Sequence, residues 1–318
     1  MSPQSFLTLA TGAALLPLAS CLVSPNNTIP EQWKSSLPQV WDNILARAEI
    51  NTPGMTMKSY ENWAMDQVMD GNGTINLCMR WNSNRTLTQT ERQQMVAEYE
   101  KTYKKWFEWL PGWDNYPFHG IKFKVVGWAV KDRSLLQGST DGAAIYTNAT
   151  DEDGQVACDL GCSRDKHLDG DYSGCPGGRE ARLHQFLYFN ASSLEVDMGA
   201  ATGYGTYINL WGWENVGRKM GDWPILLHEL GHTFGFPDYL DDGLKNHSIC
   251  SNLWLPPNSP EEFVMKPGDY GAHVPNVTEM EGWMVRYMWS RLSRLRGWQK
   301  DNMTYPPLTN CSSFQGDF

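Results

Sequence analysis

The sequence has little positive charge and no hydrophobic run long enough to cross a membrane. Its 318 residues include 26 Lys and Arg against 36 Asp and Glu, which gives a net charge of −10 at pH 7. This balance disfavours nucleic acid or an anionic membrane as a partner. The longest apolar run near the amino terminus, residues 6–19, is too short to span a bilayer. With 41% hydrophobic residues, the chain is long enough for one large domain.

The same apolar run predicts secretion. It carries no charge and ends in small residues at Ala19 and Ser20, as a signal peptide does, although no Lys or Arg precedes it. The residues Leu18 to Cys21 also match a bacterial lipoprotein cleavage box, so a lipid on Cys21 is the alternative. A high density of N-x-S/T sequons favours a secreted glycoprotein, with candidate sites at Asn26, Asn72, Asn84, Asn148, Asn190, Asn246, Asn276, Asn302 and Asn310. We therefore expect residues 1–20 to be removed and the mature protein to be extracellular.

Cysteine usage agrees with an oxidising compartment. If Cys21 leaves with the signal peptide, an even number of cysteines remains, at Cys78, Cys158, Cys162, Cys175, Cys250 and Cys311. If cleavage instead falls before Cys21, one thiol is left over or capped. In a secreted chain this number predicts three disulfides, whose pairing cannot be deduced from the sequence. A structural zinc site at Cys158, Cys162, His167 and Cys175 is the alternative, but disulfides account better for cysteines in this compartment.

One stretch of the chain, Leu226–Asp238, has the spacing of a metal site. His228 and His232 are four residues apart, so on a helix they project from one face and can bind one ion through two imidazole nitrogens. Glu229 lies beside them, where a carboxylate can take a proton from a metal-bound water. The opposite face of the helix is apolar, with Leu226, Leu227, Leu230 and Phe234. One helix is therefore expected to serve both packing and chemistry.

The third ligand requires the helix to stop. If the helix continued, Asp238 would lie about 15 Å along its axis from His228, too far to share an ion. Gly235 can adopt the left-handed conformation that ends helices, and Pro237 cannot extend one, so the chain is expected to fold back and bring Asp238 to the histidines. Two histidines and one carboxylate leave an open fourth position, as in catalytic zinc sites.

The remaining pattern predicts alternating strands and helices. Alternating apolar residues indicate strands at 74–81 and 121–130, and a further strand is expected at 183–190. Capping boxes at Thr88–Glu91 and Thr278–Glu281 predict the starts of two long helices. Residues 21–70, interrupted by prolines, are expected to form short helices in a loose N-terminal extension or propeptide. No Pro-Arg-Cys-Gly-like motif for inhibition by a cysteine is present.

At residues 228–238 the sequence resembles the metzincin metallopeptidases, whose pattern is HExxHxxGxxH followed by a methionine turn. Asp238 replaces the last histidine, a variant similar to the snapalysin-type branch, and Met265 in residues 263–268 is the candidate for the turn. In element order the resemblance covers roughly residues 74 to 295. It implies an α+β fold with a twisted mixed sheet, a long helix, an active-site helix, and a C-terminal subdomain containing the methionine turn and a helix. Residues 71–318 would then be the catalytic domain.

This resemblance implies a zinc endopeptidase that acts on protein or peptide substrates. The sequence does not determine the oligomeric state, for which a monomer is the expectation. Zn²⁺ would be held by His228, His232 and Asp238, with Glu229 as the general base for a zinc-bound water. Met265 would form a hydrophobic floor without touching the metal.

Two alternatives remain open. The first is a non-catalytic or carbohydrate-binding secreted protein on the same scaffold, which 15 Trp and 13 Tyr favour. The second is a zinc hydrolase of another superfamily whose third ligand is a distant glutamate, for which the candidates are Glu261, Glu262, Glu279 and Glu281.

Overall fold

The computed structural model of the protein describes residues 28–51, 57–191, 199–215, 224–240, 247–251, 253–267 and 276–300. The predicted signal peptide therefore lies outside the described residues. So do Cys21, Cys311 and the sequons at Asn26, Asn246, Asn302 and Asn310.

The fold is α+β and centres on one mixed sheet. Its strands are β1 (Thr74–Asn82), β2 (Lys122–Val130), β3 (Ala144–Tyr146), β4 (Gln185–Asn190), β5 (Gly199–Thr202) and β6 (Gly205–Asn209). Their order across the sheet is β3-β2-β1-β4-β6-β5. Neighbouring strands are parallel except at the β5 end, where β5 runs antiparallel to β6. The strands expected at 74–81 and 121–130 are confirmed, and the strand expected at 183–190 begins two residues later.

The helices of the described residues are α1 (Ser36–Asn51), α2 (Ala64–Asp70), α3 (Gln89–Phe107), α4 (Leu210–Asn215), α5 (Pro224–His232) and α6 (Glu279–Leu295). Both predicted capping boxes are present. Glu91 N donates to Thr88 Oγ1 at 3.2 Å, and Glu281 N donates to Thr278 Oγ1 at 3.3 Å. Each glutamate in turn accepts the threonine N–H at 2.9 Å. These local signals fix where α3 and α6 begin.

The prediction of short helices in a loose N-terminal extension is wrong for residues 28–51. Residues 36–51 form a single helix of 16 residues. Pro38 does not interrupt it, because it lies in the first turn, where the missing N–H has no intrahelical acceptor to lose. The apolar face of the segment is buried in the main core through Trp33, Leu37, Val40, Trp41 and Ile44. Whether residues 21–70 are removed as a propeptide stays a prediction.

Two apolar clusters lie on the sheet. The larger one joins α1, α3, α5 and α6 to β1, and within it the Trp106 Nε1–H donates to the Leu227 carbonyl of α5 at 2.9 Å. The smaller one contains disulfides Cys78–Cys158 and Cys162–Cys175. Cys250 is also disulfide-bonded. The disulfide prediction is therefore confirmed for these five cysteines, and Cys158, Cys162 and Cys175 cannot serve as zinc ligands.

Among the described residues, no helix is both long enough and apolar enough to cross a bilayer.

Candidate metal centre

Helix α5 presents the motif residues as expected. Leu226, Leu227 and Leu230 are almost fully buried, which fixes the rotation of the helix against the core. His228 and His232 then project together, and their ring centroids are 4.8 Å apart. Packing on one face therefore determines which side chains line the other.

The chain reverses directly after His232. The N–H of Gly235 donates to the carbonyl of His232 at 2.8 Å, and Gly235 has φ +91°, a left-handed conformation that favours glycine. The next residues return toward the helix. The Oδ1 atom of Asp238 lies 2.9 Å from His228 Nε2 and 3.4 Å from His232 Nε2. The reversal predicted from Gly235 and Pro237 is present.

Hydrogen bonds on the other side of each imidazole determine the tautomers. His228 Nδ1 lies 2.7 Å from the Val264 carbonyl oxygen, and His232 Nδ1 lies 2.7 Å from the Phe236 carbonyl oxygen. A carbonyl can only accept, so each Nδ1 carries a hydrogen. In a neutral imidazole the Nε2 atom then carries a lone pair and no hydrogen. Both Nε2 atoms face Asp238 Oδ1.

This arrangement brings three acceptor atoms together. They all lie within 4.8 Å of one another, and no other group of three or more His, Cys, Asp or Glu residues converges in this way in the described part of the chain. Asp238 Oδ1 is buried and lacks a hydrogen-bond partner, although the whole side chain is 44% exposed. Only protons or a cation can relieve the repulsion among these lone pairs. Two imidazole nitrogens and one carboxylate oxygen are a donor set that could hold a metal ion.

The electrostatics of the metal-free site also favour positive charge. Burial by itself would lower the pKa of His232, but the neighbouring carboxylates of Asp238 and Glu229 raise it to about 9. Burial would raise the pKa of Asp238, yet His228 and His232 hold it well below its usual range. Asp238 is therefore ionised, and a positive charge is stabilised beside it.

Glu229 lies between the histidines and the outermost strand of the sheet. It is 7% exposed, and its Oε2 is 3.9 Å from His232 Nε2. A Cβ atom on Gly199 of β5 would lie 2.9 Å from Glu229 Cγ and 3.1 Å from Oε1. The carboxylate therefore rests directly against the β5 backbone, where only glycine leaves room for it.

Met265 lies beneath α5. It is fully buried, and a Cβ on Gly231 would lie 2.1 Å from Met265 Sδ. The Met265 carbonyl accepts the N–H of Tyr239 at 2.9 Å, which ties this turn to the residue after Asp238. Met265 therefore packs against the α5 backbone at Gly231.

The glutamates considered as a distant third ligand lie elsewhere. Glu261, Glu262 and Glu279 are exposed, and none belongs to the converging group. Glu281 is fully buried, and its two oxygens accept hydrogen bonds from Met265 N and from Thr278. The geometry therefore favours Asp238 as the third donor.

One residue near the site, Arg47, could not be recognised from the sequence pattern. Arg47 on α1 is partly buried; burial lowers its pKa, while the charges of Asp238 and Tyr239 raise it. Ile44, one helical turn earlier, lies 3.7 Å from where a Gly235 Cβ would be. The spacing of Ile44 and Arg47 places both on one face of α1, but the sequence does not show which turn that face meets.

The described sequons differ in exposure. Asn72, Asn84, Asn148 and Asn276 are exposed. Asn190 is half-buried at the end of β4, and its Oδ1 accepts from Asn82 Nδ2 at 3.2 Å. Glycosylation itself stays a prediction.

No protein-family model matches the chain, and no curated protein matches it.

Proposed function

We propose that the protein is a secreted zinc-dependent endopeptidase. The observation that carries the proposal is the convergence of His228 Nε2, His232 Nε2 and Asp238 Oδ1, with Glu229 beside them and β5 along the same wall. The resemblance of residues 228–238 to metzincins supports the same activity.

In this proposal, metal binding and proton transfer are carried out by different residues. His228, His232 and Asp238 would hold Zn²⁺, and the Val264 and Phe236 carbonyls keep the two imidazoles in the required tautomer. When bound, zinc supplies Lewis acidity that acidifies a water and polarises the scissile carbonyl. Glu229 accepts the proton of the attacking water and delivers it to the nitrogen of the leaving amine. Its burial against Gly199 keeps the carboxylate oriented.

The position of β5 at the edge of the sheet supports an extended peptide as the substrate. β5 is the last strand of the sheet and lies against α5 at Gly199. An extended peptide can pair with such an edge through its main chain, as the resemblance to metzincins implies. The disulfides support an extracellular location, since they persist in oxidising compartments.

The aromatic residues give the carbohydrate-binding alternative little support. Among the described tryptophans, Trp211 is the one strongly exposed, at 66%, while others such as Trp81, Trp106 and Trp213 are core residues. A stacking surface for sugars needs exposed rings, so these side chains are explained by packing.

The proposal is tested with casein and a soluble polysaccharide as parallel substrates. We expect casein cleavage that a zinc chelator abolishes and added zinc restores, with no change in the polysaccharide. Polysaccharide binding without casein cleavage, in protein that contains zinc, would support the binding-protein alternative instead.

A further inference from the structure

The start of α6 contains a buried carboxylate that the metal site and the helix cap together do not explain. Glu281 is 0% exposed. Its Oε2 accepts from Thr278 N at 2.9 Å and from Thr278 Oγ1 at 2.8 Å, which completes the capping box. Its Oε1 accepts from Met265 N at 2.9 Å, outside the helix. A cap alone needs only the first set of contacts.

The contact between Glu281 and Met265 N connects the carboxylate to His228, one of the candidate metal ligands. The N–H of Met265 and the carbonyl of Val264 belong to the same peptide group, and that carbonyl accepts the Nδ1–H of His228 at 2.7 Å. This peptide group is trans, because the described chain contains no cis peptide bond, so its N–H and carbonyl point in opposite directions. Glu281, one peptide group and His228 therefore form a continuous line of hydrogen bonds.

Such a line polarises its members. A carboxylate that accepts from a peptide N–H makes the carbonyl of that peptide a stronger acceptor. A stronger acceptor for Nδ1–H makes Nε2 of the same imidazole a better donor to a metal. Many metal-bound histidines have a carboxylate directly behind them; here a peptide group stands between the two.

The other histidine lacks this arrangement. His232 Nδ1 also faces a carbonyl, that of Phe236, at 2.7 Å. The peptide group after Phe236 ends at the nitrogen of Pro237, which has no hydrogen to donate. No carboxylate can polarise that peptide through its N–H. The two histidines are thus supported differently.

The capping box of α3 shows what a glutamate needs for capping alone. Glu91 in the Thr88 box is partly exposed, at 20%, and its Oε1 accepts from Arg85 at 2.8 Å. Burying a carboxylate costs several kcal/mol unless hydrogen bonds offset it, so a surface glutamate is sufficient for capping. The full burial of Glu281 therefore points to a second purpose.

We propose that Glu281 is a positioning residue that acts on His228 through the Val264–Met265 peptide group, holding and strengthening this ligand. The inference rests on the proposed zinc site. It assigns a role to a residue that is not among the three converging donors.

The test compares three variants above pH 8, where the Glu281 carboxylate is ionised, by zinc affinity, measured by competition with a chelator, and by thermal unfolding. We expect Glu281→Gln to weaken zinc binding by about 10- to 100-fold, the usual cost of losing a group that supports a metal ligand. Thr278→Ala removes the cap of the same helix but leaves the Met265 contact, so it should lower the melting temperature with nearly unchanged zinc affinity. Glu91→Gln, the matched change in the other capping box, should behave like Thr278→Ala.

Two results would overturn the proposal. One is wild-type zinc affinity in Glu281→Gln. The other is a loss of zinc affinity that follows the melting temperature equally in all three variants, which would show a structural role only. Wild-type protein that binds no zinc would instead refute the proposed function, so the two failures are distinguishable.

A measurement on the wild-type protein covers the case in which Glu281→Gln does not fold. In the zinc-loaded protein, the Nδ1–H proton of His228 should resonate further downfield in NMR spectra than that of His232, because only the first faces a polarised carbonyl. Equal shifts, or the reverse order, would contradict the proposal.

Discussion

At the scale of single residues, the role of Glu229 can be separated from metal binding. Its carboxylate is not among the three converging donors, so Glu229→Gln should keep zinc. Gln cannot accept the proton, and we expect turnover to fall by roughly 100- to 10,000-fold. Peptide hydrolysis and zinc content are measured on the same preparation. The exposed Glu262→Gln serves as the control, and wild-type turnover in Glu229→Gln would rule out the general-base role.

Glu281 predicts how stability depends on pH. Burial raises its pKa from the ordinary value of 4.5 to about 7, despite hydrogen bonds from Thr278, Met265 and Val264. Because the folded-state value is the higher one, the folded protein keeps a proton that the unfolded chain releases between these two pH values. Stability is therefore lost as pH rises through this window, by at most roughly 3 kcal/mol.

The measurement is urea unfolding of metal-free protein at several pH values, with Glu281→Gln as the reference that does not titrate. The stability of wild type minus that of the variant should fall from pH 4.5 to 7 and then level off. A difference that stays constant, or rises with pH, would show that Glu281 does not titrate in this way.

Much of the site at this scale could be predicted from sequence spacing, and part of it could not. His228, His232 and Asp238 are found together because helical periodicity and one left-handed glycine determine their relative positions over a few residues. The Thr278–Glu281 box is local in the same sense. The bond from Met265 to Glu281 joins residues 16 positions apart, and the position of Arg47 depends on the packing of a distant helix, so neither leaves a local pattern.

At the scale of elements, α5 depends on a close approach to the Met265 turn. A Cβ on Gly231 would lie 2.1 Å from Met265 Sδ and 2.9 Å from Trp106 Cζ2. Gly231→Ala should therefore destabilise the fold by about 1–3 kcal/mol through overpacking, despite the better helix propensity of alanine. Chemical denaturation measures the loss. Gly120→Ala, where no atom lies within 4 Å, is the control, and equal stability of the two variants would contradict this packing.

The elements that were predicted correctly are those whose signals are local. α3 and α6 begin at capping boxes, and β1 and β2 show apolar residues with a period of two. α1 was not predicted as one helix, because Pro38 resembles a break until its place in the first turn is known. The partners of α1 are also far away in sequence, in α6 and in the residues around Cys250, and no short-range pattern reports them.

At the scale of the whole molecule, residues 28–70 contact both the end of α5 and the connection between β5 and β6. The Ala64 N–H donates to the Thr233 carbonyl at 2.8 Å, directly after α5. Gln67 Nε2 donates to the Gly203 carbonyl, between β5 and β6, at 2.9 Å. Arg296, at the end of α6, donates to the carbonyl oxygens of Met57 and Tyr60 at 3.0 Å each. These contacts hold the site together from the N-terminal side.

Removing this segment should therefore damage the site. We expect a chain that begins at residue 71 to unfold at a clearly lower temperature than the full chain and to bind zinc more weakly, because it loses these bonds and the buried face of α1. A chain that begins at residue 28 keeps the hydrogen bonds named above and the buried face of α1, and is the control. If the shorter chain matches it in melting temperature and zinc affinity, residues 28–70 are dispensable, as a propeptide would be.

The measurement that tests the central claim most directly is the metal content of purified protein never exposed to a chelator, determined for wild type and for Asp238→Ala. Three converging donors with an open fourth position predict about one zinc ion per wild-type chain. Asp238→Ala removes the buried oxygen and should retain far less zinc after dialysis. Wild-type protein without a transition metal, or Asp238→Ala that binds zinc as tightly as wild type, would contradict the account.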